Sequence, residues 1–311
     1  LLKLFTEKDH PRENFISILL QQADLTKISP FILHSATPHR IYYGRERESS
    51  IIFNTLSSNS VVILGSRRIG KTSFMRNVQK NLIDANYSVF YGDCQTVKDW
   101  VGFAAMARRN WDVDLSDDFT PQNMFELIDQ LKEKSSSKKI IIMLDEIDQL
   151  LEWDKNHENN HVSEAFFKSC RAISQENRAQ FVFSGERTIA NTIWNPESPH
   201  WNFCRSLPLQ QLDRESTVKL ISEPLNNLQI SFLNREKFEE SIWNYTSGHP
   251  QLAQYLGDKI VKMVNSRNPL DRENISFNDV NAIVNSFEFM EHYLTTYWGQ
   301  ATEFEKLISI L

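Results

Sequence analysis

The chain has 311 residues, about twice an ordinary domain, and is 41% hydrophobic and 24% charged, which excludes both a small stapled scaffold and a disordered chain. Its 34 Lys and Arg against 40 Asp and Glu leave a net charge of −6, which argues against a surface built as a whole for nucleic acid but allows a local basic patch. No run of about twenty apolar residues occurs, which excludes an apolar membrane-spanning helix. Cys94, Cys170 and Cys204 have neither metal-ligand spacing nor the even number of a disulfide framework, so a reducing, cytoplasmic setting is expected.

Residues 1–40, punctuated by Pro11, Pro30 and Pro38, contain one amphipathic run around Phe15 to Leu20 and are expected to be a linker or the end of a preceding domain. The chain opens on Leu1 and stops inside a helix-like segment at Leu307 to Leu311, which reads as a piece of a larger protein. From Ile41 onward short β-branched runs alternate with helical periodicity, the pattern of a parallel sheet with crossover helices. Strands are expected over Val61 to Leu64, Ser88 to Tyr91, Ile140 to Leu144, Gln180 to Ser184 and Cys204 to Leu209. Helices are expected over Thr72 to Ala85, Trp100 to Asn110, Pro121 to Lys134 and Ser163 to Gln175. Beyond Leu212 the strand-like runs end. Helical patterns over Arg214 to Leu225, Arg235 to Thr246, Pro250 to Asn265 and Phe277 to Phe287 then indicate a second, all-helical module.

Chemistry enters at Gly65-Ser66-Arg67-Arg68-Ile69-Gly70-Lys71-Thr72, which fits G-x-x-x-x-G-K-[ST] and lies between an apolar strand and a helix-forming run. Glycines let the backbone turn so that its N–H groups surround phosphate oxygens, and the following helix adds the positive end of its dipole. Lys71 supplies a mobile cation and Thr72 a hydroxyl suited to Mg²⁺, a hard cation that prefers oxygen ligands. Gly65 through Thr72, with Ser73, are therefore the expected nucleotide-binding residues.

A second motif is Ile140-Ile141-Ile142-Met143-Leu144-Asp145-Glu146, a wholly apolar strand ending in two carboxylates. Such a strand is central in a sheet, and ligands bind beyond the carboxyl ends of central strands. Asp145 is expected to face Mg²⁺ together with Thr72, and Glu146 to orient and deprotonate the water that attacks the γ-phosphate. Asp148, in the same loop, is expected only to cap a helix or meet solvent. His157 and His161 lack a third ligand, and Arg171 and Arg178 read as parts of solvated helix faces.

In this order the segments resemble the P-loop ATPases of the AAA+ and STAND type, in the archaeal-type, origin-recognition-like branch, over about Ile41 to Leu311. Tyr43-Gly44-Arg45-Glu46 resembles the box preceding the first helix of these proteins, and the likeness implies that Arg45 lies near the nucleotide. Phe181-Val182-Phe183-Ser184-Gly185 is similar to the sensor 1 strand, which implies that Ser184 meets the attacking water or the γ-phosphate, with Arg187 as the neighbouring arginine. Leu207-Pro208-Leu209 resembles the exit into a helical lid, and Gly248-His249-Pro250 the lid motif whose proline lies against adenine. Tyr297-Trp298 and Thr302 to Leu307 are similar to the opening of a winged helix.

The resemblance implies an α/β P-loop NTPase of ASCE/AAA+ type, with parallel sheet order 5-1-4-3-2, over residues 41–212. A helical lid over 213–290 and the start of a winged-helix module over 291–311 would follow. It also implies an ATPase that binds ATP or ADP with Mg²⁺ and switches oligomerisation and an effector domain, in a setting such as prokaryotic antiphage defence. A homo-oligomer and protein or effector partners follow from that expectation, with no membrane partner. A DNA-associated ATPase resembling origin-recognition proteins and a non-hydrolysing nucleotide-bound scaffold are the two alternatives.

Overall fold

The computed structural model describes residues 11–33, 35, 41–135, 139–156, 164–186, 203–298 and 306–307. Arg187, His157, His161 and Thr302 to Glu305 lie outside these described residues. Contacts divide the chain into two compact units, Arg45–Gln210 and the described parts of Leu1–Gly44 with Gln211–Leu311. Among the described residues no helix is long and apolar enough to cross a membrane.

Helix α1 (Pro11–Gln22) belongs to the second unit. The first unit opens with α2 (Glu46–Thr55) and continues through β1 (Ser60–Leu64), α3 (Lys71–Asp84), β2 (Ser88–Asp93) and α4 (Trp100–Trp111). A 3₁₀ turn at Pro121–Asn123 leads into α5 (Met124–Glu133), β3 (Ile140–Asp145), α6 (Asp148–Asn156), α7 (Ala165–Gln175), β4 (Gln180–Gly185) and β5 (Cys204–Pro208). The sheet is parallel, ordered β2-β3-β4-β1-β5, which is the expected 5-1-4-3-2 arrangement read from its other edge.

Composition explains the order. β1, β3 and β4 are buried along their whole lengths, as strands with neighbours on both sides and helices on both faces require. The flanking helices bury single stripes: Phe74, Met75, Val78 and Leu82 in α3, and Met124, Leu127, Ile128 and Leu131 in α5. At the amino-terminal end of the sheet, the buried Ser60 hydroxyl accepts from the Phe181 N–H at 3.0 Å and meets Gln180 Oε1 at 3.1 Å, which satisfies polar groups that would otherwise be stranded.

α6 is a helix the periodicity did not single out. Its nine residues carry only a short apolar stripe, Leu150 and Leu151, and it is fixed by long-range bonds. Asp148 Oδ1 and Oδ2 each accept from the Glu186 N–H at 3.1 Å. The buried Asp154 carboxylate accepts from Trp100 Nε1 at 3.1 Å and from the Phe166 N–H at 3.2 Å.

The second unit contains α8 (Arg214–Asn227), β6 (Ser231–Phe232), α9 (Arg235–Thr246), α10 (Pro250–Asn265), β7 (Asn274–Ile275), α11 (Phe277–Val284) and α12 (Phe287–Tyr297). It is not wholly helical, because β6 and β7 pair in a two-residue parallel ladder too short to show as a periodic signal. The single helix expected over Phe277 to Phe287 is two helices, since the Ser286 hydroxyl caps α12 by accepting from the Phe289 N–H at 3.3 Å.

The proline-punctuated start does not behave as a free linker. Leu25 and Phe31 are buried in the core of the second unit. The Leu25 N–H donates to Asn265 Oδ1 at 2.9 Å and the Ile32 N–H to Gln254 Oε1 at 3.2 Å. The Phe31 ring lies so close to α10 that a Cβ at Gly257 would sit 2.4 Å from it, so only glycine leaves space for the aromatic contact.

Candidate nucleotide site

Three parallel strands, β3, β4 and β1, stand side by side and end at one edge of the sheet. β1 and β4 run in register from Val61 opposite Val182 to Leu64 opposite Gly185, and Met143 on β3 lies opposite Val182. The phosphate-loop motif therefore leaves β1 at the carboxyl end of the sheet, where Asp145 ends β3 and Ser184 is the last residue but one of β4.

The loop turns into α3 through left-handed backbone at Arg68 (φ 65°) and Gly70 (φ 95°). Gly70 occupies the N-cap position of α3, where glycine adopts this conformation without the steric cost of a Cβ and has no side chain to cap the first-turn N–H groups. Arg67 and Arg68 are exposed, Ile69 is buried at 2%, and Ser66, Gly70, Thr72 and Ser73 are partly covered.

Lys71 is the first residue of α3, and its side chain is only 3% exposed. Its ammonium donates to the carbonyls of Gly65 at 3.1 Å and Ser66 at 3.4 Å and lies 3.9 Å from Glu146 Oε1. A buried cation held mainly by loop carbonyls is available to an anion of higher charge, because charge-assisted bonds to phosphate are stronger than those to neutral carbonyls.

Asp145 is 1% exposed and is the centre of a polar network spanning three strands. Its Oδ2 accepts from the Tyr91 hydroxyl on β2 at 2.7 Å. Its Oδ1 accepts from the Ser184 hydroxyl on β4 and from the Glu146 N–H at 3.1 Å. The Glu146 N–H also donates to Ser184 Oγ at 3.2 Å. Glu146 itself has left-handed backbone (φ 54°), a conformation that costs on the order of 1 kcal/mol outside glycine and is held here by those two bonds.

Burial raises the pKa of the Glu146 carboxyl above the ordinary glutamate value; the negative charges of Asp145, Asp148 and Glu186 raise it further, and the Lys71 ammonium opposes them. Burial and the Asp145 charge push the Tyr91 hydroxyl higher still above its ordinary value, so it remains a proton donor. Burial also raises the Cys94 thiol, next to β2, which keeps it unionised.

The other expected site residues fall differently. Ser184 is fully buried, and its single proton is donated to Asp145, so its hydroxyl orients a carboxylate where the resemblance had it meeting water or phosphate. Arg45, expected beside the nucleotide, is 8% exposed, and its guanidinium is engaged by Glu48 Oε1 at 3.0 Å and by the Gln210 carbonyl. That bond joins the first and last residues of the α/β unit. Pro250 belongs to the helical unit, where it is the first residue of α10, a position that needs no N–H. Arg178, read as part of a solvated face, is paired with Asp129.

Tyr91 was not singled out by its sequence context. It is one aromatic residue in a strand of Val89, Phe90 and Tyr91, and only the pairing of β2 with β3 brings it to Asp145.

The donor chemistry suits a hard divalent cation, with a hydroxyl on Thr72 and a carboxylate on Asp145. Among the described residues no group of three or more His, Cys, Asp and Glu gathers as a metal cage.

Residues 42–256 match the model of a family described as an ATPase domain predominantly from Archaea. The chain belongs to that ATPase family. Among solved structures, a Walker-type ATPase of Pyrococcus abyssi is similar with a TM-score of 0.60 at 14% identity, over 85% of this chain and 79% of that one. The ORC2 protein of Aeropyrum pernix, in its ADPNP–ADP complexes, gives a TM-score of 0.60 at 14% identity over 82% of this chain and 71% of that one. The ORC1 protein of Aeropyrum pernix in complex with DNA gives 0.52 at 15% identity over 79% and 66%. No curated protein sequence matches the chain. This archaeal-type ATPase thus has the parallel α/β fold of the P-loop AAA+ proteins, and its family membership makes it an ATP-hydrolysing enzyme.

Proposed function

We propose that this ATPase is a slow, regulatory nucleotide switch whose site is the phosphate loop together with the Asp145–Glu146 strand end. The observation that carries this reading is Lys71. Its ammonium is buried on the loop's own carbonyls and lies 3.9 Å from the carboxylate best placed to act on water.

In this reading Lys71 exchanges its carbonyl contacts for the β- and γ-phosphate oxygens of ATP, and the loop N–H groups bind the same phosphates. Thr72 and Asp145 hold Mg²⁺, which would neutralise charge developing on the phosphates. Glu146 orients a water and accepts its proton, and its raised pKa makes it a better proton acceptor than an ordinary carboxylate. Arg67, exposed beside the loop, is free to approach phosphate from solvent. The two nucleotide states differ in their affinity for further copies of the chain and for effector segments, which is how turnover becomes a signal. That part of the reading rests on the resemblance to STAND proteins, as does antiphage defence as its setting.

The test is nucleotide binding by Lys71→Ala measured against the wild-type chain with a fluorescent ATP analogue. Loss of a charged hydrogen-bond donor of about 2–3 kcal/mol weakens binding by roughly 30- to 150-fold. Unchanged affinity would place the nucleotide elsewhere.

A second reading, association with DNA, is favoured by the likeness of the fold to the ORC1 protein solved with DNA, and opposed by the net charge of −6. DNA binding titrated against salt separates the two, because phosphate contacts give a steep loss of affinity as salt rises.

A further inference from the structure

We propose that Tyr91 is a positioning residue for ATP hydrolysis: its hydroxyl occupies one acceptor position of Asp145 Oδ2 and so sets the direction of the position left on that oxygen for magnesium or a magnesium-bound water. The proposal rests on the reading that Asp145 serves a Mg²⁺·nucleotide complex.

A carboxylate offers roughly four lone-pair positions, two on each oxygen. Among the described residues, Oδ1 of Asp145 receives the Ser184 hydroxyl and the Glu146 N–H, which fill both of its positions. Among the described residues Oδ2 receives the Tyr91 hydroxyl alone. One position therefore remains, and it is on Oδ2. Without the Tyr91 hydroxyl both acceptor positions of Oδ2 would be open, and the direction that oxygen offers to magnesium would no longer be set.

Tyr91 is itself held against such motion. Its carbonyl accepts from Trp111 Nε1 at 2.9 Å, and its strand is paired with β3 through Tyr91 opposite Met143. The Arg76 guanidinium lies 3.5 Å from the centre of its ring. Arg76 is on α3, the helix that begins at Lys71, so the element carrying the phosphate-loop lysine also covers the tyrosine that orients the acid. A tyrosine that merely filled space in this layer would need neither its hydroxyl nor that direction, because Phe90 and Phe103 fill the neighbouring core without polar atoms.

The deciding variant is Tyr91→Phe, which keeps the ring and the Arg76 contact and removes the hydroxyl. Binding of a fluorescent ADP is measured across a magnesium titration and again in EDTA, alongside turnover and thermal melting. The expected result is a rise of about tenfold in the magnesium needed for half-saturation, with ADP affinity in EDTA unchanged to within about twofold. Turnover at limiting magnesium falls in parallel and recovers in part at high magnesium. An unchanged magnesium requirement overturns the proposal, whatever happens to the melting temperature. Equal weakening with and without magnesium also overturns it, because the hydroxyl would then be supporting the whole site. If the wild-type chain itself shows no magnesium-dependent nucleotide binding, the reading of the site fails and the proposal falls with it.

Discussion

The two units differ in how they satisfy several of their buried hydroxyls. In the helical unit three buried hydroxyls bond locally: Thr217 to the Asp213 carbonyl, Ser241 to that of Lys237 and Thr246 to that of Ile242, each at 2.7 Å and each one turn back on its own helix. In the α/β unit the buried polar groups reach across elements: Tyr91 and Ser184 to Asp145, Ser60 to Gln180, Trp100 to Asp154, Arg45 to Gln210. Local satisfaction asks nothing of the fold, so in the helical unit apolar packing, caps and the bonds that tie the amino-terminal segment to Asn265 and Gln254 carry the tertiary structure. Long-range satisfaction exists only when the unit is assembled, and at Asp145 it holds a carboxylate at the end of β3, where the proposed site lies. Substitutions in the first unit should therefore alter chemistry more than stability, and those in the second unit the reverse.

Glu146→Gln tests this contrast most severely. Removing a general base lowers turnover by about 10²- to 10⁴-fold, while ATP binding and the melting temperature change little. With Glu146 as the proposed base, the wild-type rate is expected to fall on the acid side as Glu146 takes up its proton, at a pH above the ordinary glutamate value. The same shift acts on stability. The folded chain holds this proton more tightly than the unfolded chain, so the Glu146 contribution to stability declines as pH rises from the ordinary value through the raised one. The glutamine variant lacks that decline. A turnover loss smaller than about tenfold would remove Glu146 from the role of base.

Next in size, and opposite in kind, is Phe31→Ala. Emptying the space between the amino-terminal segment and α10 costs about 3–5 kcal/mol, read by denaturant or thermal unfolding. If Phe31→Ala left stability intact, the segment would be peripheral and the contrast between the units would weaken.

The smallest effect is expected at a cap. The Ser276 hydroxyl accepts from the Asp279 N–H at 3.3 Å while Asp279 returns a bond to the Ser276 N–H at 2.7 Å, so Ser276→Ala costs about 1 kcal/mol with no change in nucleotide affinity. A larger loss would mean that α11 depends on its start more than on Val280 and Val284 in the core.

Several parts of this protein were legible from residue order. The run Ile140 to Leu144 is apolar throughout, so it had to be central; Gly70-Lys71-Thr72 after Val61 to Leu64 had to be a strand-to-helix turn. Both follow because the signals lie within a few residues of one another and concern backbone freedom or burial. α6 and the β6–β7 ladder were not legible, since each is fixed by partners far along the chain. The same holds for the packing of Phe31 on Gly257, separated by more than two hundred positions.

Sequence by itself determined the fold class, the phosphate loop and the two carboxylates at the end of β3, because those features are carried by short contiguous runs. Tertiary structure decided which distant groups the site residues touch. It gave Asp145 its three donors, gave Arg45 to Glu48 and Gln210, turned Ser184 toward a carboxylate and brought Tyr91 into the site. The physical reason is that a hydrogen bond between strands depends on pairing and register, and neither is written in the residues of one strand alone.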